Sequence, residues 1–169
     1  FLSAPWLVKW IASRAMGTSA KSLGGLTVSM LRGRNGNQRK EVRRLCNWLQ
    51  TLKPDVVIFS NLLIAGCLPE LKQQLGCQTV VILQGDDIFY NGLIQPYRDQ
   101  ALVELKRLAQ QVDCFVVHSE YYGQHMRELL EFPSNKLFVN PLSIDVSDFV
   151  TLSRESIERP PTVGFLARL

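Results

Sequence analysis

Residues 79–87 read TVVILQGDD, an apolar run from Thr79 to Leu83 that stops abruptly at Gln84-Gly85-Asp86-Asp87. A short continuous apolar run of this kind suits a strand buried on both faces, as in a parallel sheet. Working outward, the same texture recurs at Val56–Phe59, Cys114–Val117, Leu137–Val139 and Thr162–Leu166. Leu26–Leu31 (LTVSML) is a weaker strand candidate, because its apolar residues alternate with polar ones. Helical periodicity fills the intervals. Val42, Leu45, Leu49 and Leu52 share one face between Gln38 and Leu52, with Asn37 as N-cap and Lys53-Pro54 as the stop. Asn61–Leu75 reads as a helix broken near Gly66 and restarted at Pro69. Pro96 opens a third helix that turns Leu102, Leu105, Leu108, Ala109 and Val112 inward. Ser119 caps a fourth, which carries Tyr122, Met126, Leu129 and Leu130. This alternation predicts an α/β, Rossmann-like doubly wound sheet, mainly parallel, with helices on both faces.

The chain has 169 residues, 46% hydrophobic and 20% charged. That composition excludes a disordered tail, a collagen-like repeat and a disulfide-dense mini-protein. No apolar run reaches the roughly 18 residues that cross a bilayer. The net charge of +4 hides an asymmetry: residues 1–53 carry ten Lys and Arg against one acid, Glu41. A surface so basic invites an anionic partner, although solvated lysines and arginines give the same count. Cys46, Cys67, Cys77 and Cys114 show no C-x-x-C spacing and sit in apolar contexts, which reads as buried free thiols in a reducing cytoplasm rather than zinc ligands.

Ligands of an open parallel sheet bind beyond the carboxyl ends of its strands. That rule selects Ser60-Asn61, Gln84-Gly85-Asp86-Asp87, His118-Ser119-Glu120 and Asn140-Pro141-Leu142-Ser143. Gly85 permits close approach or positive φ. Asp86 and Asp87 are suited to orienting sugar hydroxyls, acting as a base or binding a metal, but a pair of aspartates in a loop is also an ordinary helix cap. His118 and His125 read as structural or surface histidines, since no Ser-His-Asp order or metal-ligand spacing surrounds them. The glycines of SLGGL precede a candidate strand instead of following one, so they fail the context of a dinucleotide fingerprint.

KPDVVIFSNLL, VVILQGDDIFY, VDCFVVHSEYYGQHMRELL, NKLFVNPLSIDVSDF and VGFLARL, in this order and spacing, resemble the N-terminal half of family-4 glycosyltransferases of the GT-B fold. The resemblance implies an enzyme of hexosyltransferase type. It would transfer a sugar from a nucleotide-sugar donor to a sugar or lipid-linked acceptor with retention, without an essential metal or other cofactor. Residues 1–149 would form the acceptor-side domain with its first strand missing, 150–161 a linker, and 162–169 the start of a donor domain, so the chain is truncated at both ends and inactive alone. The resemblance points to Asp87 and Asp86 as catalytic candidates, with Asp87 first, and to Gln84, Gly85, Ser119, Asn140 and Arg168 as substrate-binding. Gln84 stands where many members carry a histidine, Ser143 replaces a usual glycine, and Arg168 matches an arginine that holds the donor diphosphate. It also implies a cytoplasmic enzyme with peripheral membrane contact, in which Trp6 and Trp10 face the lipid and Lys9 and Arg14 face water. Nucleic acid is not an expected partner. The alternatives are another Rossmann-type nucleotide-binding module, or a basic domain that binds nucleic acid or membrane through residues 1–53.

Overall fold

A computed structural model describes residues 20–147 of the chain. The elements are α1 (Ala20–Leu31), α2 (Arg39–Leu52), β1 (Val56–Phe59), a 3₁₀ segment (Leu62–Cys67), α3 (Leu68–Leu75), β2 (Gln78–Ile82), α4 (Asp86–Asn91), α5 (Tyr97–Ala109), β3 (Cys114–Val117), α6 (Glu120–Leu130) and β4 (Leu137–Val139). The four strands form one parallel sheet in the order β1-β2-β3-β4. The protein is therefore an α/β, Rossmann-like domain. The expected strand at Thr162–Leu166, the linker 150–161, Trp6, Trp10 and Arg168 lie outside the described residues.

Because the order is sequential, every crossover steps the same way, and right-handed crossovers lay their helices on one face. Burial agrees with that geometry. Phe59, Thr79, Val81, Phe115 and Val117 point to the covered face and are buried. Phe132 stacks on Phe115 at a centroid distance of 4.0 Å. On this side α6 approaches the sheet so closely that a side chain at Gly123 would meet Val117 Cγ2 at 2.9 Å. Val56, Ile58 and Phe138 occupy the opposite face and are exposed. Among the described residues, then, helices cover one face, and the second helical layer expected of a doubly wound sheet is not among them.

Three local expectations are corrected. Leu26–Leu31 lies within α1, where Thr27 Oγ1 donates to Leu23 O at 3.0 Å and Thr27, Val28 and Leu31 are buried; tertiary packing overrides the short alternation. Helix α2 starts at Arg39 without a side-chain cap, and Asn37 instead donates its backbone N–H to Ser29 Oγ at 2.8 Å. The buried stripe of α2 is Val42 and Cys46 with Leu49 partly covered, so Leu45 and Leu52 face outward beside Trp48. The broken helix is found as read: Asn61 Oδ1 accepts from Ile64 N, the 3₁₀ turn follows, and α3 restarts with Pro69 in its first turn. Cys46, Cys67 and Cys77 are buried and all four cysteines are free; burial first, then the charge of Glu70, pushes the Cys46 thiol up to about 11.

Candidate active site

The chemistry-bearing residues gather where the sequence rule puts them, at the carboxyl ends of β2 and β3. Leu83 extends the β2 ladder by one bond, donating to Val116 O at 2.9 Å, and the chain then turns at Gly85. Gly85 has φ +91°, in the left-handed region that a side chain resists, although space for a Cβ exists there. This turn launches α4, whose first two residues are Asp86 and Asp87.

The two carboxylates diverge sharply. Asp86 is 4% exposed; its Oδ1 accepts from Leu62 N at 2.7 Å and its Oδ2 from Gln84 N at 3.1 Å. Burial raises its pKa from the ordinary value, against the opposing pull of those backbone donors. It ties the loop after β1 to the loop after β2, and both of its oxygens are engaged. Asp87 is half-buried, with Oδ1 accepting from Tyr122 Oη at 3.0 Å and Oδ2 3.6 Å from His125 Nε2.

Tyr122 is the hub. Its phenol oxygen accepts from Gly85 N at 2.7 Å and from Asp86 N at 3.1 Å while its hydrogen goes to Asp87. Burial, followed by the Asp87 contact among the raising causes, pushes this phenol up to about 12, so it stays a neutral donor at ordinary pH. Tyr122 reaches the loop because Ser119 caps α6, its Oγ accepting from Tyr122 N at 3.2 Å, which places the tyrosine one turn in on the side facing α4. From the sequence, Tyr122 reads as one of the apolar positions of its helix and His125 as a structural or surface histidine; neither is singled out for the site. The capped helix beginning straight after β3 was the available signal, since it points its first turn at the neighbouring loop.

A cleft of about 400 Å³ opens over this network, lined by Leu83, Gln84, Gly85, Asp87, Ile88 and Tyr122, with His118 and Ser119 at its far wall. Gln84 is exposed, and its Nε2 donates to Ser60 O at 3.2 Å. The His118 Nδ1 lies 2.9 Å from Asn140 O, so Asn140 engages the site through its main chain, and it is not among the residues lining the cleft. Four of the anticipated residues, Gln84, Gly85, Asp87 and Ser119, thus share one cleft. Asp86 lies beneath it, Asn140 is set behind His118, and Arg168 falls outside the described residues. Arranged this way, the cleft has a mainly apolar lining that includes Leu83, Ile88 and Tyr122, with one carboxylate edge, an amide and an imidazole set among it.

A sequence model of the family described as Glycosyltransferase Family 4 matches residues 8–148. Neither curated proteins nor solved structures gave a match. No helix among the described residues is long and apolar enough to cross a membrane.

Proposed function

Because the chain belongs to glycosyltransferase family 4, we propose that it supplies the acceptor side of a hexosyl transfer from a nucleotide sugar with retention of configuration. The observation that carries this reading is the split between the two aspartates. Asp86 is consumed in holding the loops, and Asp87 is held by one oxygen at the rim of the cleft with the other directed toward His125. An acceptor hydroxyl enters beside Asp87. Its oxygen bonds to the donor's anomeric carbon on the same face from which the sugar–phosphate bond breaks, as retention in a single displacement requires; the nucleoside diphosphate leaves with the electron pair, and the hydroxyl proton passes to Asp87. Positioned proton transfer of this type contributes about 10²–10⁴-fold. Gln84, His118 and Ser119 hold the remaining hydroxyls. Arg168 offers a planar fork of donors for the diphosphate. The reading calls for no resident metal.

It also takes the enzyme to be cytoplasmic and peripheral to the membrane. Support comes from α2, where Arg39, Lys40, Arg43 and Arg44 are exposed beside outward-facing Leu45, Trp48 and Leu52. The same basic residues serve the rival reading of nucleic-acid binding, which the apolar stripe disfavours.

Amide NMR of the chain titrated with methyl glycosides tests the proposal. Shifts centred on Gly85, Ile88 and Ser119, lost in Asp87→Asn, are expected. Shifts confined to other surfaces, or an unaltered titration in Asp87→Asn, would overturn it.

A further inference from the structure

Between the end of α1, α3 and α5, three arginines meet around a hollow of about 130 Å³ that shares no lining residue with the cleft. Arg32, Arg34 and Arg107 line it together with Asn35, Gln73 and Glu70. The backbone brings the first two there. Gly33, which opens the short 3₁₀ turn Gly33–Asn35, has φ +54° and passes so close to the 3₁₀ segment Leu62–Cys67 that a Cβ on it would meet Gly66 O at 1.9 Å. Glycine alone fits that crossing, which puts the flanking Arg32 and Arg34 beside the first turn of α3.

Two of the arginines are held in place without being used up. Glu104 accepts from Arg32 Nε at 3.2 Å with one oxygen and from Arg107 Nε at 2.8 Å with the other, and Arg107 Nη2 donates to Leu31 O at 3.2 Å. Glu104 thus takes only the Nε–H edge of each, which leaves terminal amino groups for a ligand. Arg34 comes no closer than 3.9 Å to Glu70 Oε2, beyond hydrogen-bond range.

Glu70 supplies the second clue. It is 6% exposed; its Oε1 accepts from Gln74 Nε2 at 2.9 Å, while its Oε2 has no hydrogen-bond partner among the described residues. A buried carboxylate oxygen without a donor is costly, so the hollow asks for a ligand that donates as well as accepts. Arg34 is the one cation within 4 Å of that oxygen among the described residues, and its side chain is 60% exposed, so it can swing with an incoming group. A phosphate that keeps a P–O–H has both properties. Its charged oxygens match guanidinium forks, and its hydroxyl donates to Glu70. Sulfate offers acceptors only and is repelled by the carboxylate. A neutral sugar donates, but it leaves the arginines no charge to answer.

We infer that this hollow binds inorganic phosphate or a phosphate monoester, with Arg32, Arg34 and Arg107 on the anionic oxygens and Glu70 accepting from the protonated one. The site stands apart from the transfer cleft and does not rest on the acceptor-side reading.

The test titrates the full chain with inorganic phosphate, glycerol 3-phosphate and sulfate at equal ionic strength and pH 6, where both phosphates carry a proton in good part, and follows amide shifts by NMR. Shifts at Asn35, Gly66 and Gln73 are expected, with Gly85 and Ser119 unmoved, and phosphate should bind at least about tenfold tighter than sulfate. A preference for the free ion or for the ester identifies the source of the group, and either sustains the site. Glu70→Gln, whose amide donates where the carboxylate repelled, should bring sulfate to within about threefold of phosphate. Arg34→Ala, at an exposed position, should weaken phosphate about tenfold without disturbing the fold. Sulfate binding as tightly as phosphate in the unmodified chain would reduce the cluster to an unselective basic patch and overturn the inference. So would shifts confined to other surfaces, discrimination that survives Glu70→Gln, or phosphate binding that survives Arg34→Ala.

Discussion

The two ends of the sheet each carry an aspartate network and a cavity of similar size, yet only one looks like a site. At the amino end, Asp113 Oδ2 takes the Lys72 ammonium, Thr79 N at 2.7 Å and Thr79 Oγ1 at 2.9 Å. Nearby, a hollow of about 370 Å³ is lined by Gln50, Lys53, Pro54, Asp55, Gln74 and Leu75. At the carboxyl end, Asp86 and Tyr122 do the same kind of tying, but they leave Asp87 directed into a cleft of about 400 Å³. Volume does not separate the two ends. Both cavities have charged groups in their lining, since Lys53 and Asp55 are exposed at the amino-end hollow. What separates them is that the Asp87 carboxylate is held in place by Tyr122 while it lines its cleft. The amino end uses its carboxylate to close structure, and the carboxyl end uses one carboxylate to aim another.

If that contrast holds, mutations at the amino end cost stability and leave ligand binding alone. Asp113→Ala should show the largest effect. It strips the fully buried Thr79 of its acceptors and leaves the Lys72 ammonium unpaired, a loss of about 3 kcal/mol. For a chain of this size, that is a fall in Tm of roughly 6–12 °C. Glycoside shifts at Gly85 and Ser119 should persist in the variant at temperatures where it is folded. A loss of binding there with Tm unchanged would invert the comparison.

Tyr122→Phe should come next and should move both readouts. The ring is kept, but Gly85 N and Asp86 N lose their shared acceptor and Asp87 loses its donor. A cost of about 2 kcal/mol is expected for orphaned, partly covered amides. Methyl glucoside binding should weaken because the Asp87 carboxylate is no longer oriented. Thermal melts and the NMR titration together check this; a variant altered in Tm alone would reduce Tyr122 to a packing residue.

Asp87→Asn should be the converse of Asp113→Ala. The amide keeps the size and still accepts from Tyr122, so stability should change by less than about 1 kcal/mol. Glycoside affinity should drop about tenfold, the equivalent of one charge-assisted hydrogen bond at about 1.4 kcal/mol. A destabilised variant with intact binding would make Asp87 the structural member of the pair.

This division of labour explains what could be read from residues alone. The four described strands follow from apolar runs bounded by Gly, Pro and Asp, and the cleft follows from the rule that ligands meet the carboxyl ends of such strands. The roles within the cleft do not follow. Asp86 and Asp87 are chemically identical and adjacent, and only the turn at Gly85 decides which one is buried under Leu62 N. Tyr122 lies 36 residues from Asp86, joined to it by tertiary packing that no local pattern encodes. The misreading of Leu45 and Leu52 has a similar origin. Two apolar stripes coexist on α2, and tertiary contacts select the one through Val42 and Cys46.

The smallest expected effect concerns acid. Burial alone would raise the Asp113 carboxyl, but the bond from Lys72 and those from Thr79 outweigh it and hold the group below the usual carboxylate value. A carboxylate depressed in the folded state stabilises fully above its unfolded value, near 3.9, and loses that contribution as pH falls through the lower folded value. Asp86 has the opposite sign. Its raised value means the folded protein takes up this proton first, so its ionisation weakens the fold as pH rises through the window between the unfolded and folded values. The two ends of the sheet therefore respond to acid in opposite directions, the amino end loosening below about pH 4 where protonating Asp86 is favourable. Asp113→Asn should flatten the loss of stability on the acid side, shifting the midpoint of acid unfolding by a few tenths of a pH unit, since one partly exposed group is involved. Asp86→Asn should steepen it instead, because the compensating uptake of a proton is gone. Urea melts at stepped pH between about 3 and 6 check both variants, and parallel profiles in the two would show that the aspartates are not opposed.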